Sequence, residues 1–169
     1  SEHLYGNGPP PAGLQCIPQT LPDMALIPAG DFWMAAGGGR EVYEEGFFMD
    51  ITEVTAGDYK ACVDAGGCTY TAGIGLHSTY GVAGKEHHPI VLVNWEQAST
   101  YCALKGKSLP TETQWEKAAV GGCDIWGAAD CATQTPIYPW GDKAPAAIHA
   151  VSYDQERPGS LEPVGSRPY

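Results

Sequence analysis

The sequence predicts a loop-rich α+β domain, and three observations carry that prediction. Between residues 88 and 117 a short apolar run is followed by two helix signatures, each opened by its own capping pattern. Upstream, three short apolar segments of strand length precede a first helix signal. The 169 residues also include 22 Gly and 14 Pro, which suits a folded chain with many turns better than a helical bundle or a disordered polymer.

Taken in order, residues 1–22 read as an extended arm, because Pro9-Pro10-Pro11 favours polyproline II and the segment has little apolar surface. A domain then spans residues 23–169. Ala25-Leu26-Ile27 and Phe32-Trp33-Met34 are expected to form a hairpin around Pro28-Ala29-Gly30-Asp31. A loop at 35–39 follows, Glu44 and Glu45 are read as exposed, and residues 47–51 make a third strand. Thr55 with Asp58 opens a helix that carries Tyr59, Cys62 and Val63 and stops at Gly66-Gly67. Residues 69–85 lack periodicity and are read as a long surface loop, with Tyr70, His77 and Tyr80 as exposed binding candidates.

Ile90-Val91-Leu92-Val93 has the length of a buried strand. Asn94 with Gln97 caps the helix that follows, and Trp95, Ala98, Tyr101, Cys102 and Leu104 share one apolar face of it. Gly106 ends it, with Lys105 and Lys107 beside the negative end of its dipole. Pro110 resets the chain. Thr111 with Gln114 caps a further helix with a stripe of Trp115, Ala118 and Ala119. The two helices are expected to pack through Trp95, Tyr101, Trp115 and Ala118. Residues 121–136 form a second irregular excursion, and residues 138–169 hold many turns and no helix signal.

A net charge of −11 opposes binding to nucleic acid or anionic lipid, both of which need clustered Lys or Arg. No run has the length of a membrane span. Six cysteines include two close pairs, Cys62 with Cys68 and Cys123 with Cys131, that suit local disulfides. No Cys-x-x-Cys pair suggests zinc, so an exported, oxidising location fits best. Ser1 in first place agrees with a mature or trimmed chain.

Several constellations that suggest chemistry have simpler readings. His87-His88 lacks a third ligand at metal spacing and reads as a solvent-facing pair. Glu112 and Glu116 lie at i and i+4, but acidic groups belong in the first turn of a helix for electrostatic reasons. Trp95, Trp115 and Trp140 are read as core, with internally bonded indole N–H groups, in preference to sugar platforms. No serine has an activating neighbour, and no Gly-rich turn cradles phosphate. Three soft or imidazole ligands do not converge, so zinc, iron and copper are not expected, while calcium stays open.

Certain residues follow one another in a recognisable order: Pro89, Val93-Asn94-Trp95, Ala98, Tyr101-Cys102, Gly106-Lys107 and Leu109-Pro110-Thr111-Glu112. Trp115-Glu116-Lys117-Ala118-Ala119 and Tyr138-Pro139-Trp140-Gly141-Asp142 continue it, with residues 24–30 and 50–55 matching upstream. The pattern resembles the formylglycine-generating enzyme family, also called the sulfatase-modifying-factor domain, from about Met24 to Gly165. The resemblance implies a variant of the C-type lectin fold, here incomplete or shortened at the C-terminus. It also implies a chemistry: oxidation of a sulfatase cysteine to formylglycine with oxygen, copper and a cysteine pair. Those cysteines and the family's calcium ligands belong to a C-terminal half that carries Gly-Asn-Val-x-Glu-Trp and Arg-Gly-Gly-Ser segments, neither present here. No catalytic, cofactor or metal residue is therefore carried over, and copper is expected only if a missing half is supplied.

The leading expectation is an exported, non-catalytic module that binds a protein partner or a second polypeptide. The alternatives are the N-terminal portion of an oxidase completed elsewhere and a carbohydrate-binding lectin-like domain. Missing late strands would leave apolar surface of the two central helices uncovered. In vertebrate-type members the cysteine matching Cys102 pairs with one from the C-terminal half. With the local pairs made, Cys16 and Cys102 remain. A Cys16–Cys102 bridge that clamps the arm is preferred to a free, buried Cys102 acting as a small hydrophobe.

Overall fold

The structure is a computed structural model and describes residues 21–35, 39–73, 77–123, 136–144 and 161–167. Residues 1–20 of the expected arm, Cys16 among them, and Cys131 lie outside the described residues.

Four strands come first: β1 (Met24–Ile27), β2 (Gly30–Met34), β3 (Arg40–Glu44) and β4 (Phe47–Asp50). The expected hairpin between β1 and β2 is not formed. β1 pairs antiparallel with β4, and β2 pairs antiparallel with β3. The register explains why. Ile27 faces Phe47 and Gly30 faces Glu44, so Pro28 and Ala29 lie across from Glu45 and Gly46. The two sheets keep one register across the gap and are interrupted at Pro28-Ala29, opposite Glu45-Gly46. The turn lies between Met34 and Arg40, where Phe32 and Met34 are buried and Gly39 allows the indole of Trp33 to close in. β3 was not expected, since Arg40-Glu41-Val42-Tyr43-Glu44 has only Val42 and Tyr43 as β-formers between charges.

Helix α1 (Ala56–Asp64) starts as predicted, with the Thr55 side chain accepting from the Asp58 N–H. A Cys62–Cys68 disulfide closes its C-terminal turn. The apolar run 90–93 does not form a strand. Only Pro89 bridges to Thr55, Ile90 N–H donates to the Val54 carbonyl, and Leu92 turns left-handed at φ 61°. That conformation is costly for a γ-branched residue and ends any extended pairing.

Helices α2 (Trp95–Leu104) and α3 (Glu112–Val120) carry complete capping boxes, Asn94 with Gln97 and Thr111 with Gln114. Their packing differs from expectation. Tyr101 is buried, but Trp95 and Trp115 are 72% and 64% exposed. On α2, Tyr101 stacks on Tyr59 of α1 at 5.3 Å, in a cluster with Cys68 and the partly buried Val54, Val63, Ile90 and Val93. Gln97 is buried with it and donates to the Thr69 carbonyl at 2.8 Å, tying the following loop down. α3 instead lies on the β2–β3 pair. Its Lys117, 2% exposed, donates to the Gly30 and Glu44 carbonyls, while Glu116 accepts from the Ala35 N–H. Adjacent residues of one helix thereby hold both ends of β2. Among the described residues no helix is long and apolar enough to cross a membrane.

Candidate functional site

Among the described residues a concavity runs between β4 and the link joining α2 to α3. One half, of about 780 Å³, is apolar, with Phe47, Phe48, Met49, Leu109 and Pro110 in its walls. The other half, of about 450 Å³, is lined by Asp23, Glu53, Asp58, Tyr101 and Lys105. Both halves share Asp50, Ile51, Thr52, Glu53, Val54, Cys102 and Lys107, so they form one groove. Each wall follows from local sequence. The strand brings its aromatic residues, Gly106 turns the chain out of α2, and Pro110 and Thr111 start α3 so that Gln114 closes one end.

An ion pair between Lys107 and Asp50 spans the groove, with both side chains about one-third exposed. A pair at that exposure contributes little stability, but it fixes the α2–α3 link against β4. Cys102 lies behind it and is a free thiol. The expected Cys16–Cys102 bridge is therefore not made. The thiol sits half-buried on the face of α2 that lines the groove, packed against the tyrosine cluster as a small hydrophobe. Burial is the main cause that pushes its pKa up, with Asp50 adding to the effect and Lys107 opposing it. Burial likewise raises Tyr101, helped by Asp58 and Asp50.

The remaining candidates disperse. Tyr70 and Tyr80 are half-buried and stacked on each other at 4.1 Å, with the Tyr70 hydroxyl against Ser78 and the Val91 carbonyl. They hold the loop to the core and are not the exposed pair expected; His77 is exposed. Ser78 and Thr79 are buried, and Thr79 donates to the Pro89 carbonyl at 2.7 Å. Cys62 and Cys68 are joined as the spacing suggested, and Cys123 is also disulfide-bonded. Of the aromatic trio, Trp140 donates its indole N–H internally, to the Lys143 carbonyl, and stacks on Tyr138. Trp95 and Trp115 are surface residues, and Leu104 at the other end of α2 is 57% exposed. His87 is exposed, as expected, whereas His88 is half-buried with its Nδ1 unsatisfied.

The described residues do not fit a copper centre of the kind the resemblance implies. Soft copper ions take thiolates, yet the one free cysteine described has its thiolate disfavoured by burial and by Asp50. Among the described residues no group of three or more His, Cys, Asp or Glu side chains could hold a metal ion.

The sequence reading missed the groove because β4 and the α2–α3 link lie about 60 residues apart and meet only through the fold. The signals available were the Phe47-Phe48-Met49 run and Leu109-Pro110.

Comparison with known proteins agrees with this architecture. Residues 13–168 match the sulfatase-modifying factor enzyme 1-like domain. The inactive C-alpha-formylglycine-generating enzyme 2 of Bos taurus is 41% identical over 80 residues, covering 43% of this chain and 27% of that protein. The formylglycine-generating enzyme of Mus musculus is 26% identical over 175 residues, covering 75% of this chain and 44% of that protein. The chain thus spans less than half the length of these curated relatives. The crystal structure of CarF superposes with a TM-score of 0.53 at 21% identity, covering 86% of this chain and 72% of that one, and supports the fold alone. With an α+β fold, the capping boxes in place and a match over nearly the whole sequence, the chain belongs to the formylglycine-generating-enzyme, or sulfatase-modifying-factor, family.

Proposed function

We propose that the chain is an exported, non-catalytic module of this family that binds a protein partner. The observation that carries the reading is the groove between β4 and the α2–α3 link, an open surface with one apolar and one acidic half, whose described residues form no group that could hold a metal ion. A nucleophilic or metal-binding cysteine works as its thiolate, and the surroundings of Cys102 push in the opposite direction. Relatives that share 41% and 39% identity over 80 residues are themselves named inactive formylglycine-generating enzymes, in cattle and mouse. Two disulfide-bonded sites in the described residues agree with an oxidising compartment. Trp95, Leu104 and Trp115 add exposed apolar side chains elsewhere on the described surface.

The second reading is a portion of a formylglycine-generating oxidase completed by further polypeptide. The mouse enzyme favours it, because its similarity covers three-quarters of this chain and less than half of the enzyme. The two readings separate in one assay. The purified chain is incubated aerobically with copper and a sulfatase-type cysteine peptide, and the peptide is examined by mass spectrometry for an aldehyde. Unchanged peptide is the expected result, and conversion overturns the non-catalytic reading.

A further inference from the structure

Side chains of a β-strand alternate between its two faces, so a groove lying over one face is lined by every second residue. All four residues of β4 in succession, Phe47, Phe48, Met49 and Asp50, line this groove. From the neighbouring strand β1 only Met24 does. The groove therefore runs along the outer edge of β4, on the side away from β1.

The register shows which backbone groups face it. Ile51 lies opposite Asp23 and donates to its carbonyl at 3.2 Å. In an antiparallel ladder such hydrogen-bonded pairs alternate with non-bonded ones. Phe47 and Met49 accordingly turn their N–H and C=O groups toward β1, whereas Phe48 and Asp50 turn theirs toward the groove. Neither residue has a backbone partner among the described residues beyond that two-stranded ladder. Two strands alone are marginal in water, and an edge of this kind is a ready template for a third.

The rim adds a charge. The acidic half has four carboxylates, Asp23, Asp50, Glu53 and Asp58, against two ammonium groups, Lys105 and Lys107. Lys107 is engaged with Asp50, and neither Asp23 nor Glu53 has an ion-pair partner among the described residues.

We infer that the outer edge of β4 is a strand-addition site. Its occupant is an extended segment of a partner polypeptide that bonds to the backbone of Phe48 and Asp50. Apolar side chains of that segment fill the Phe47–Leu109–Pro110 half, and a Lys or Arg meets Asp23 and Glu53 in the acidic half. Main-chain bonds supply the affinity in this mode, and pockets for alternate side chains supply the specificity. The inference rests on the partner-binding reading and names the partner's chemistry and the edge it takes.

The probe is a displayed library of random peptides about ten residues long, selected against the full chain, with the enriched peptides then synthesised. Enriched sequences are expected to alternate apolar residues and to carry Lys or Arg toward one end. Binding should protect the Phe48 and Asp50 amides from hydrogen exchange. N-methylation of the peptide amides that face β4 should weaken binding roughly ten-fold, with the protein unaltered. Glu53→Lys, at an exposed position, should remove the preference for a basic residue without changing the melting temperature.

Enriched peptides that leave those amides unprotected, or that tolerate N-methylation, overturn the site even where a partner binds elsewhere on the chain. Failure to enrich any peptide tighter than about 100 μM overturns it too. Protection of the same amides without peptide, with a dimer in sedimentation, would give the edge to a second copy of the chain. The same protection in a monomer would give it to the chain's own residues 1–20. Either outcome overturns a separate partner. Aldehyde formation in the oxidase assay would overturn the non-catalytic reading and leave this site standing.

Discussion

Lys117→Met removes the donor that holds the Gly30 and Glu44 carbonyls where the ladder is interrupted. Burying those acceptors without their charged partner should cost roughly 2–4 kcal/mol in urea unfolding. Two residues earlier on α3, Trp115→Ala removes a side chain that is 64% exposed, and it should change stability by no more than about 1 kcal/mol. The order of the two effects reverses what hydrophobicity alone suggests, and a large loss at Trp115 would refute the packing described. A lysine reads as a surface residue unless the carbonyls around it are known, and here they come from strands more than 70 residues upstream. That is why the residue holding α3 to its sheet was not legible in the sequence. Cys102 is a second residue-scale test. Its pKa is raised chiefly by burial, so the folded chain binds the thiol proton more tightly than the unfolded chain does. The resulting stability is fully present below the unfolded thiol pKa and is lost as pH rises through the folded one. Alkylation of Cys102 by iodoacetamide should therefore show its midpoint above that of a free cysteine, and a lower midpoint would refute the environment described.

Gln97 and Gln114 occupy the same position in the capping boxes of α2 and α3, yet their side chains have different duties. Gln114 accepts from the Thr111 N–H. Gln97 accepts from the Asn94 N–H and also reaches the Thr69 carbonyl and Thr71 hydroxyl through its amide nitrogen. Gln114→Ala should cost about 1 kcal/mol, and Gln97→Ala about 2–3 kcal/mol with loosening of the loop after Cys68. Thermal or urea unfolding checks the order, and equal losses would deny the second role of Gln97. The helix starts were legible because a capping box is complete within four residues. The three helices therefore begin where Thr55, Asn94 and Thr111 indicate. Strand partners were not, because pairing is settled across the chain. Pro28 looked like a turn, whereas it lies in a two-residue gap between two ladders that share one register. The apolar run 90–93 had a strand's composition, but the left-handed Leu92 and the single bridge at Pro89 show tertiary contacts overriding that preference. The groove lies between two such elements, so it was hidden for the same reason.

At the scale of the molecule, twenty acidic residues face nine basic ones, and the resulting charge of −11 acts against compactness by self-repulsion. The ion pairs described, Lys60 with Asp64, Lys107 with Asp50 and Arg167 with Glu162, lie at partly or largely exposed positions. Pairs at such positions contribute little, and salt weakens them. Two effects of ionic strength therefore compete. Salt screens the repulsion of the whole surface and also screens three local attractions. The repulsion involves many more charges at longer range, where screening is most complete once the Debye length falls from about 30 Å at 10 mM to a few ångström near 1 M. Raising sodium chloride across that range should therefore raise the melting temperature of the chain. Sodium sulfate would confound the result by strengthening apolar burial, so chloride is the salt to use. A melting temperature that falls in chloride would mean that the three pairs outweigh the net charge. The Lys107–Asp50 contact across the groove would then be a principal tie between β4 and the α2–α3 link, and Lys107→Ala should reproduce the loss at low salt.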